Sequence, residues 1–278
     1  MTTIGIIHPG AMGAEVGARL VEAGRKVIWS SAGRSEATVA RAEDAGLADV
    51  STVAELVTAA DVVLSVCPPD AAGNVARAVA AVGYDGIYVD ANAVAPATAR
   101  AIGAPFERYV DGGIVGPPPT AAGSTRLYLA GPDAQEVAGL FADTAVEARV
   151  VAGDAGAASA VKMCFAAWTK GTSALLLAIR ALAEAEGVTE SLLGEWRTSL
   201  PDLIERSERT ATAVGPKAWR FAGEMEEIAA TFGGAGLPDG FHLGAAELYR
   251  SLAPLKGRTG TVDLAEALEL LLAADEGV

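Results

Sequence analysis

The stretch Ile4-Gly5-Ile6-Ile7-His8-Pro9-Gly10-Ala11-Met12-Gly13 decides the fold. Residues 4–7 predict a short buried strand, and residues 14–22 predict a helix. The turn between such elements carries the phosphate-binding pattern G-x-G-x-x-G, in which His8 here replaces the first glycine. Gly10 would let the backbone approach a pyrophosphate, and Gly13 would allow close packing of helix on strand. The alternative is an ordinary glycine-rich turn of an α/β protein.

The residues that follow alternate between strand and helix signals. Apolar runs separated by helix-like segments predict parallel strands that are buried on both faces and joined by right-handed crossovers. A loop rich in Gly and Pro is expected over residues 112–123. Further strands are predicted at residues 26–29, 61–66, 86–90, 109–111, 127–130 and 150–151, with one more marked by Val50.

The character of the sequence changes after residue 155. From Gly156 to Glu186 there is no proline, and nearly every residue is apolar or small. A helix that is apolar all round is predicted to be buried. We therefore predict an α/β Rossmann-type doubly wound sheet in a dinucleotide-binding domain (residues 1–155). An all-α substrate and dimerisation domain (residues 156–278) is predicted to follow it.

Composition excludes several classes of partner. The net charge is −14 over 278 residues, and Lys and Arg form no cluster, which argues against nucleic acid and against anionic membranes. We expect a cytoplasmic protein without a membrane span. Cys67 and Cys164 lie away from other metal-ligand residues and are interpreted as reduced thiols, and with His8 and His242 as the two histidines no metal site is expected.

The end of the second predicted strand indicates which nucleotide is preferred. It continues as Ser30-Ser31-Ala32-Gly33-Arg34, without the acidic residue that usually binds the ribose 2′-hydroxyl of NAD. Hydroxyls and an arginine suit the 2′-phosphate instead. The sequence therefore predicts NADP(H), the alternative for Arg34 being a solvated loop cation.

Several motifs together resemble one known family. The sequence is similar, over essentially its whole length, to the β-hydroxyacid dehydrogenase and 6-phosphogluconate dehydrogenase superfamily, which includes the imine reductases. It most resembles a branch with a short helical C-terminal domain. The motifs that carry the resemblance lie at residues 9–13, 90–96, 111–116, 236–238 and 242–247, together with Gly153-x-x-Gly156 leading to Lys162.

The resemblance implies that Lys162 is the catalytic acid/base. The residues agree, because Lys162 lies among apolar residues near the start of this helix and burial lowers the pKa of a lysine. The alternative is a lysine that extends to the surface. Departures from the family pattern are Ala166 for an Asn, Val115 for a substrate-binding Ser, and Glu226-Glu227 for a Lys-Asp pair. They weaken the prediction of a small β-hydroxyacid substrate.

The remaining site residues are predicted by their place in these motifs. Cys67 and Pro68 are expected beside the nicotinamide, Asn92 at its ribose, and a nucleophilic Cys67 is disfavoured. His242 is either a substrate-pocket residue or a satisfied histidine at a helix end. The predicted cofactor residues are Pro9, Gly10, Ala11, Met12, Ser30, Ser31, Arg34, Cys67, Pro68 and Asn92, and the substrate residues are Gly113, Val115, Gly116, Thr169 and His242.

The leading hypothesis is an NADPH-dependent oxidoreductase that moves a hydride to or from a small carbonyl or alcohol, with Lys162 as acid/base. One alternative is an imine reductase, and another is an NADP(H)-binding regulator without turnover. We also expect a homodimer, in which the helical domains interlock and residues near His242 approach the partner's nicotinamide.

Overall fold

The computed structural model describes residues 2–258 and 261–273. The chain divides into two compact units, Met1–Met163 and Cys164–Val278. The first contains the sheet and the second is helical, so the predicted fold class is confirmed. The domain boundary at residue 155 stays a prediction.

The first unit is built on one eight-stranded sheet. Its order is β3-β2-β1-β4-β5-β6-β7-β8. All neighbouring strands are parallel except β6 and β7, which pair antiparallel. The strands are β1 (Thr3–Ile7), β2 (Lys26–Trp29), β3 (Ala48–Asp49), β4 (Val62–Ser65), β5 (Ile87–Asp90), β6 (Tyr109–Val115), β7 (Thr125–Ala130) and β8 (Val146–Val150).

Helices cover the sheet and continue into the second unit. Several starts are encoded locally: Thr52 and Glu55 form a capping box, and Pro69 and Pro96 occupy first helical positions. The helices are α1 (Ala11–Glu22), α2 (Glu36–Asp44), α3 (Val53–Ala59), α4 (Pro69–Ala80), α5 (Pro96–Gly103), α6 (Ala134–Leu140), α7 (Ala157–Ala185), α8 (Thr189–Ser199), α9 (Asp202–Val214), α10 (Ala218–Gly234), α11 (Gly240–Ser251) and α12 (Leu264–Ala273).

The apolar core lies on both faces of the sheet. Ile4 and Ile6 of β1 belong to one buried cluster, whereas Ile7 belongs to the other. Successive side chains of a strand point to opposite faces, so continuous apolar runs bury both. This is the arrangement predicted from the strand sequences.

The register of the parallel strands aligns their carboxyl ends. Ile7 of β1 pairs with Ser65 of β4, Ser65 with Asp90 of β5, and Asp90 with Asp111 of β6. These four residues form one row across the sheet. Residues that follow them in the chain lie beyond the row, at an edge we call the carboxyl edge. In doubly wound folds, ligands bind at this edge.

Three strand predictions need correction. The last strand is Val146–Val150 rather than residues 150–151. The third strand is Ala48–Asp49, just before Val50, whose N–H still donates to the carbonyl of Trp29. The predicted loop at residues 112–123 is shorter than expected, because β6 continues to Val115 and pairs with β7. Gly112 and Gly113 lie within this strand, where the lack of a side chain allows close packing.

The second unit is held by contacts between α7, α10 and α11. Lys170 of α7 pairs with Glu224 of α10 at 2.8 Å, and the Tyr249 hydroxyl of α11 donates to the Lys170 carbonyl at 2.6 Å. Within a single chain α7 is not buried all round, so its predicted burial depends on the expected dimer. Phe165, Trp168, Leu175 and Leu182 are 44–66% exposed, because the helices of this unit cover only part of the α7 surface.

Candidate active site

The first turn places His8 and Gly10 at the carboxyl edge. His8 has φ 64°, the left-handed conformation that glycine favours, which is why this position is a glycine in the usual pattern. Gly10 is the N-cap residue of α1, and a Cβ there would meet no described atom within 4 Å. A Cβ on Gly13 would lie 2.9 Å from the His8 carbonyl oxygen. Gly13 therefore allows α1 to pack on the turn.

The N-terminus of α1 is suited to a pyrophosphate. Pro9 is buried, and Ala11 and Met12 begin the helix, whose first internal bond runs from the Ala14 N–H to the Gly10 carbonyl. The preceding N–H groups have no intrahelical partner, and the helix dipole favours negative charge there. The open space at Gly10 would admit the phosphates. These residues fit the cofactor predicted from the sequence.

Arg34 reaches from the loop after β2 to the first turn. Its guanidinium Nη1 lies 2.5 Å from Nδ1 of His8. Burial, followed by the charge of Arg34, lowers the pKa of His8 to about 4, so the imidazole is neutral at pH 7 and accepts a hydrogen bond from the guanidinium. The structure thus brings Arg34, a predicted cofactor residue, into direct contact with His8, which replaces the first glycine of the phosphate-binding pattern.

The two serines after β2 differ in their surroundings. Ser30 is buried. Ser31 donates to Asp49, from its backbone N–H at 3.0 Å and from its hydroxyl at 2.6 Å. These bonds lower the pKa of Asp49, with the Ser31 hydroxyl as the largest cause. A carboxylate therefore lies beside the predicted 2′-phosphate site, although it is supplied by β3 rather than by β2.

Asn92 joins the ends of β4 and β5. Its Oδ1 accepts from the Cys67 N–H at 2.6 Å, and its Nδ2 donates to the Ser65 hydroxyl at 3.1 Å and to the Asp90 carboxylate. Asn92 is buried by these contacts. In this structure its side chain positions Cys67, and contact with a nicotinamide ribose stays a prediction.

Cys67 and Pro68 lie where β4 passes into α4, and Pro68 is the N-cap residue of that helix. Burial raises the pKa of the Cys67 thiol to about 12. A thiol with this pKa is protonated at pH 7 and is a poor nucleophile. The residue is therefore better suited to forming a wall of the site.

Lys162 lies on α7 next to β6. A Cβ on Gly113 would come within 2.9 Å of both the Lys162 Cβ and the Ala158 carbonyl oxygen. Gly113 follows the aligned row by two residues, so Lys162 is near the carboxyl edge. Its side chain is partly buried. The glycine lets the helix that carries the lysine approach the strand.

Asp111 holds the beginning of α7. Its carboxylate accepts from the N–H groups of Gly156 and Ser159 at 2.9 and 3.0 Å, and from the Ser159 hydroxyl at 2.5 Å. Both Asp111 and Ser159 are buried. Burial raises the pKa of Asp111, while these hydrogen bonds act in the opposite direction. The carboxylate fixes the helix one turn before Lys162.

The other predicted substrate residues of the first unit end β6. Val115 is its last residue and is buried, and Gly116 follows with φ 120°. A side chain at Gly116 would collide with the Ser124 carbonyl oxygen. Gly116 therefore closes the turn towards β7.

Thr169 and His242 belong to the second unit. Thr169 is exposed, and its hydroxyl donates to the Phe165 carbonyl of its own helix at 3.2 Å. His242 is buried against the rings of Phe232 and Phe241, and burial lowers its pKa. Its Nδ1 has no hydrogen-bond partner within the described part of the chain.

Three residues near the site were not identified from the sequence. Asp49 comes from the neighbouring strand, and Asp111 acts on a helix 45 residues further along the chain. Ser159 completes that contact. The signal that could have indicated Asp111 is a carboxylate within a strand that is otherwise apolar and glycine-rich.

Two properties concern other kinds of site. Within residues 2–258 and 261–273, no group of three or more His, Cys, Asp or Glu side chains could hold a metal ion. In the same residues, no helix combines the length and the apolar character needed to cross a membrane.

Two family models match the chain. The model described as NADP oxidoreductase, coenzyme F420-dependent, matches residues 3–94. A domain of unknown function, DUF1932, matches residues 183–252. A curated relative, the uncharacterized 28.5 kDa protein in 7S RNA 5′ region of Methanothermus fervidus, is 30% identical over 58% of this chain. The aligned part spans 63% of that relative's length.

Solved structures share the fold over nearly the whole chain. A conserved protein of unknown function, described as similar to 3-hydroxyacid dehydrogenases, has 26% identity and a TM-score of 0.68 over 91% of this chain and 98% of its own. The 3-hydroxyisobutyrate dehydrogenase of Mycobacterium tuberculosis with L-serine is 20% identical, with a TM-score of 0.70 over 98% of this chain and 99% of its own. The reductive aminase of Aspergillus terreus with NADPH and ethyl levulinate is 21% identical, with a TM-score of 0.54 over 97% of this chain and 99% of its own.

These matches confirm the resemblance predicted from the sequence, and the N-terminal match supports NADP(H) as cofactor and an oxidoreductase as the class of protein. The chain thus combines a Rossmann unit that matches an NADP oxidoreductase family model with a helical unit that carries the DUF1932 segment, and it shares this fold with a protein described as similar to 3-hydroxyacid dehydrogenases.

Proposed function

We propose that this chain is an NADP(H)-dependent oxidoreductase acting on a small carbonyl or alcohol, with Lys162 as acid/base. One observation carries the proposal. Asp111 caps α7 and Gly113 lets α7 approach β6, so Lys162 is fixed near the carboxyl edge that also bears the phosphate-binding turn. A proton-transfer group beside a dinucleotide site is the arrangement that hydride transfer to a carbonyl needs.

Residues of the first unit would hold the cofactor. The backbone N–H groups of Ala11 and Met12, which follow the open position at Gly10, would bind the pyrophosphate, and Arg34 with Ser30 and Ser31 would face the 2′-phosphate. Cys67 and Pro68 would bound the nicotinamide, with Cys67 kept in place by Asn92. Bound NADP(H) supplies or accepts the hydride.

Lys162 would move the accompanying proton. In reduction, the lysine ammonium gives a proton from Nζ to the carbonyl oxygen as the carbon gains a hydride and its electron pair. In oxidation, the neutral amine takes the hydroxyl proton back. General acid/base groups of this kind contribute about 10² to 10⁴ in rate. Gly113, Val115 and Gly116 would border the substrate, and Thr169 and His242 stay predictions for it.

A substrate screen tests the proposed reaction. The protein is incubated with NADPH and a panel of aldehydes, ketones, oxoacids and cyclic imines, and consumption is followed at the nicotinamide absorbance. Alcohol products support the proposal. Products of imines alone would make the protein an imine reductase, and tight NADPH binding without turnover across the panel would favour the regulator.

We also propose that the chain forms a homodimer through its helical unit. The support is the exposed apolar surface of that unit, which includes Trp168 of α7 and Phe241 of α11, 66% and 51% exposed. Exposed apolar patches of this kind mark interaction sites, and obligate interfaces bury about 2,000–5,000 Å². Light scattering at micromolar concentrations should give twice the monomer mass, and a monomer would refute the proposal.

A further inference from the structure

His8 occupies a backbone conformation that its side chain disfavours. With φ 64° it lies in the left-handed region, where a non-glycine residue is uncommon and stores strain. The phosphate-binding pattern has a glycine here, which would adopt the same φ without strain. A histidine at this position therefore calls for a contact that its imidazole makes and that glycine could not.

That contact is with Arg34. The guanidinium Nη1 lies 2.5 Å from His8 Nδ1, joining the first turn to the loop after β2. The Arg34 Nε is buried, and within the described residues it has no hydrogen-bond partner. Because a guanidinium carries five N–H donors, one bond to His8 leaves the others for a ligand. These donors are held close to the N-terminus of α1.

We propose that His8 is a positioning residue that holds Arg34 at the first turn before the cofactor binds, and that it thereby sets the preference for a 2′-phosphorylated nicotinamide cofactor. The inference rests on the proposed cofactor function and extends it to His8, which replaces the first glycine of the phosphate-binding pattern. His8 acts through Arg34 rather than by contacting the 2′-phosphate itself.

The choice of histidine has a physical reason. A neutral imidazole accepts the hydrogen bond without cancelling the positive charge of the guanidinium, whereas a carboxylate would cancel it. Ordering a long side chain in advance removes a cost that binding would otherwise include. For one arginine this amounts to about a two- to tenfold gain in affinity.

The test compares His8→Gly, His8→Asn and Arg34→Ala. Dissociation constants for NADPH and NADH are measured on each purified variant by nicotinamide fluorescence, which needs no turnover. His8→Gly removes the acceptor and relieves the backbone strain, and it should weaken NADPH binding about two- to tenfold with NADH nearly unchanged. His8→Asn should restore most of the loss, because asparagine tolerates positive φ and its amide oxygen accepts from Arg34.

The double variant His8→Gly/Arg34→Ala should bind NADPH no more weakly than Arg34→Ala alone. The reason is that His8 acts only through Arg34, so its loss has no further effect once Arg34 is gone. The inference is overturned if His8→Gly binds NADPH like wild type, or weakens NADPH and NADH equally. It is also overturned if the two losses add fully. Wild-type protein that binds neither nucleotide would instead refute the proposed function, and this inference with it.

Discussion

The carboxyl edge of the sheet and the helical unit position their polar residues in different ways. At the edge, strand register brings residues far apart in sequence into contact: Asn92 holds Cys67, and Asp111 holds α7. In the helical unit, Thr169 bonds to the backbone of its own helix, and His242 packs between two phenylalanine rings. A parallel sheet thus builds a polar site from the ends of its strands, whereas the two predicted substrate residues of the helical unit are held by their own helix backbone or by aromatic rings.

The largest effect should come from Lys162, which links the sheet edge to α7. Lys162→Met should lower turnover about 10²- to 10⁴-fold and leave NADPH binding nearly unchanged, because the side chain serves proton transfer rather than the nucleotide. Stopped-flow turnover and fluorescence titration measure the two quantities. Lys217→Met, a change at an exposed lysine, is the control. A Lys162→Met enzyme that keeps most of its activity would show that the proton comes from elsewhere.

The next effect should come from Arg34, which belongs to the cofactor side alone. A charged hydrogen bond contributes about 1.5–3 kcal/mol, so Arg34→Ala should weaken NADPH binding about ten- to a hundredfold. NADH, which lacks the 2′-phosphate, should bind as before. Arg41→Ala on α2 is the matched control, because Arg41 is exposed and donates to the Thr38 hydroxyl of its own helix. Equal or tighter binding of NADH by the wild type would contradict the predicted preference.

The first turn could be predicted from local sequence patterns, whereas the contacts between neighbouring strands of the sheet could not. The positions of Gly10 and Gly13 follow from a strand, a glycine pattern and a helix that adjoin in sequence. Asp49 reaches Ser31 only because Trp29 pairs with Asp49, and that register is invisible in the sequence. The apolar composition of α7 likewise predicted a long helix, but not that Trp168 would be exposed.

The glycines of β6 show the same limit. Gly112 and Gly113 are typical of a turn when seen in sequence, and a loop was expected there. They lie in a strand because β6 pairs with β7 on one side and because α7 approaches Gly113 closely. Tertiary packing overrides local propensity here.

Substitutions at Asp111 test whether the carboxyl edge of the sheet holds the beginning of α7 in place. Asp111→Ala leaves buried N–H groups of Gly156 and Ser159 without their acceptor, and should lower the free energy of unfolding by about 1–3 kcal/mol. Turnover should fall, while NADPH affinity changes little. Asp111→Asn should cost much less, because its amide oxygen can accept both N–H groups and the Ser159 hydroxyl can accept from the amide. Thermal and urea unfolding measure the difference, and equal losses in the two variants would show that the carboxylate charge itself is required.

The smallest effect should come from Asp49, the carboxylate that β3 places beside Ser31. A negative charge there repels a 2′-phosphate and competes with it for the Ser31 hydroxyl, which now donates to Asp49 at 2.6 Å. Asp49→Asn removes the charge but keeps an acceptor for the Ser31 and Ser51 N–H groups. Because Asp49 is exposed, the repulsion is screened, and NADPH affinity should rise only a few-fold at low salt and less above about 0.1 M, where the Debye length is about 10 Å.

NADH affinity should stay the same or fall, since the carboxylate could otherwise accept a hydrogen bond from the ribose 2′-hydroxyl. Asp44→Asn, at the exposed end of α2, controls for net charge. A drop in NADPH affinity for Asp49→Asn would mean that the Asp49–Ser31 bond shapes the phosphate site more than its charge opposes the phosphate.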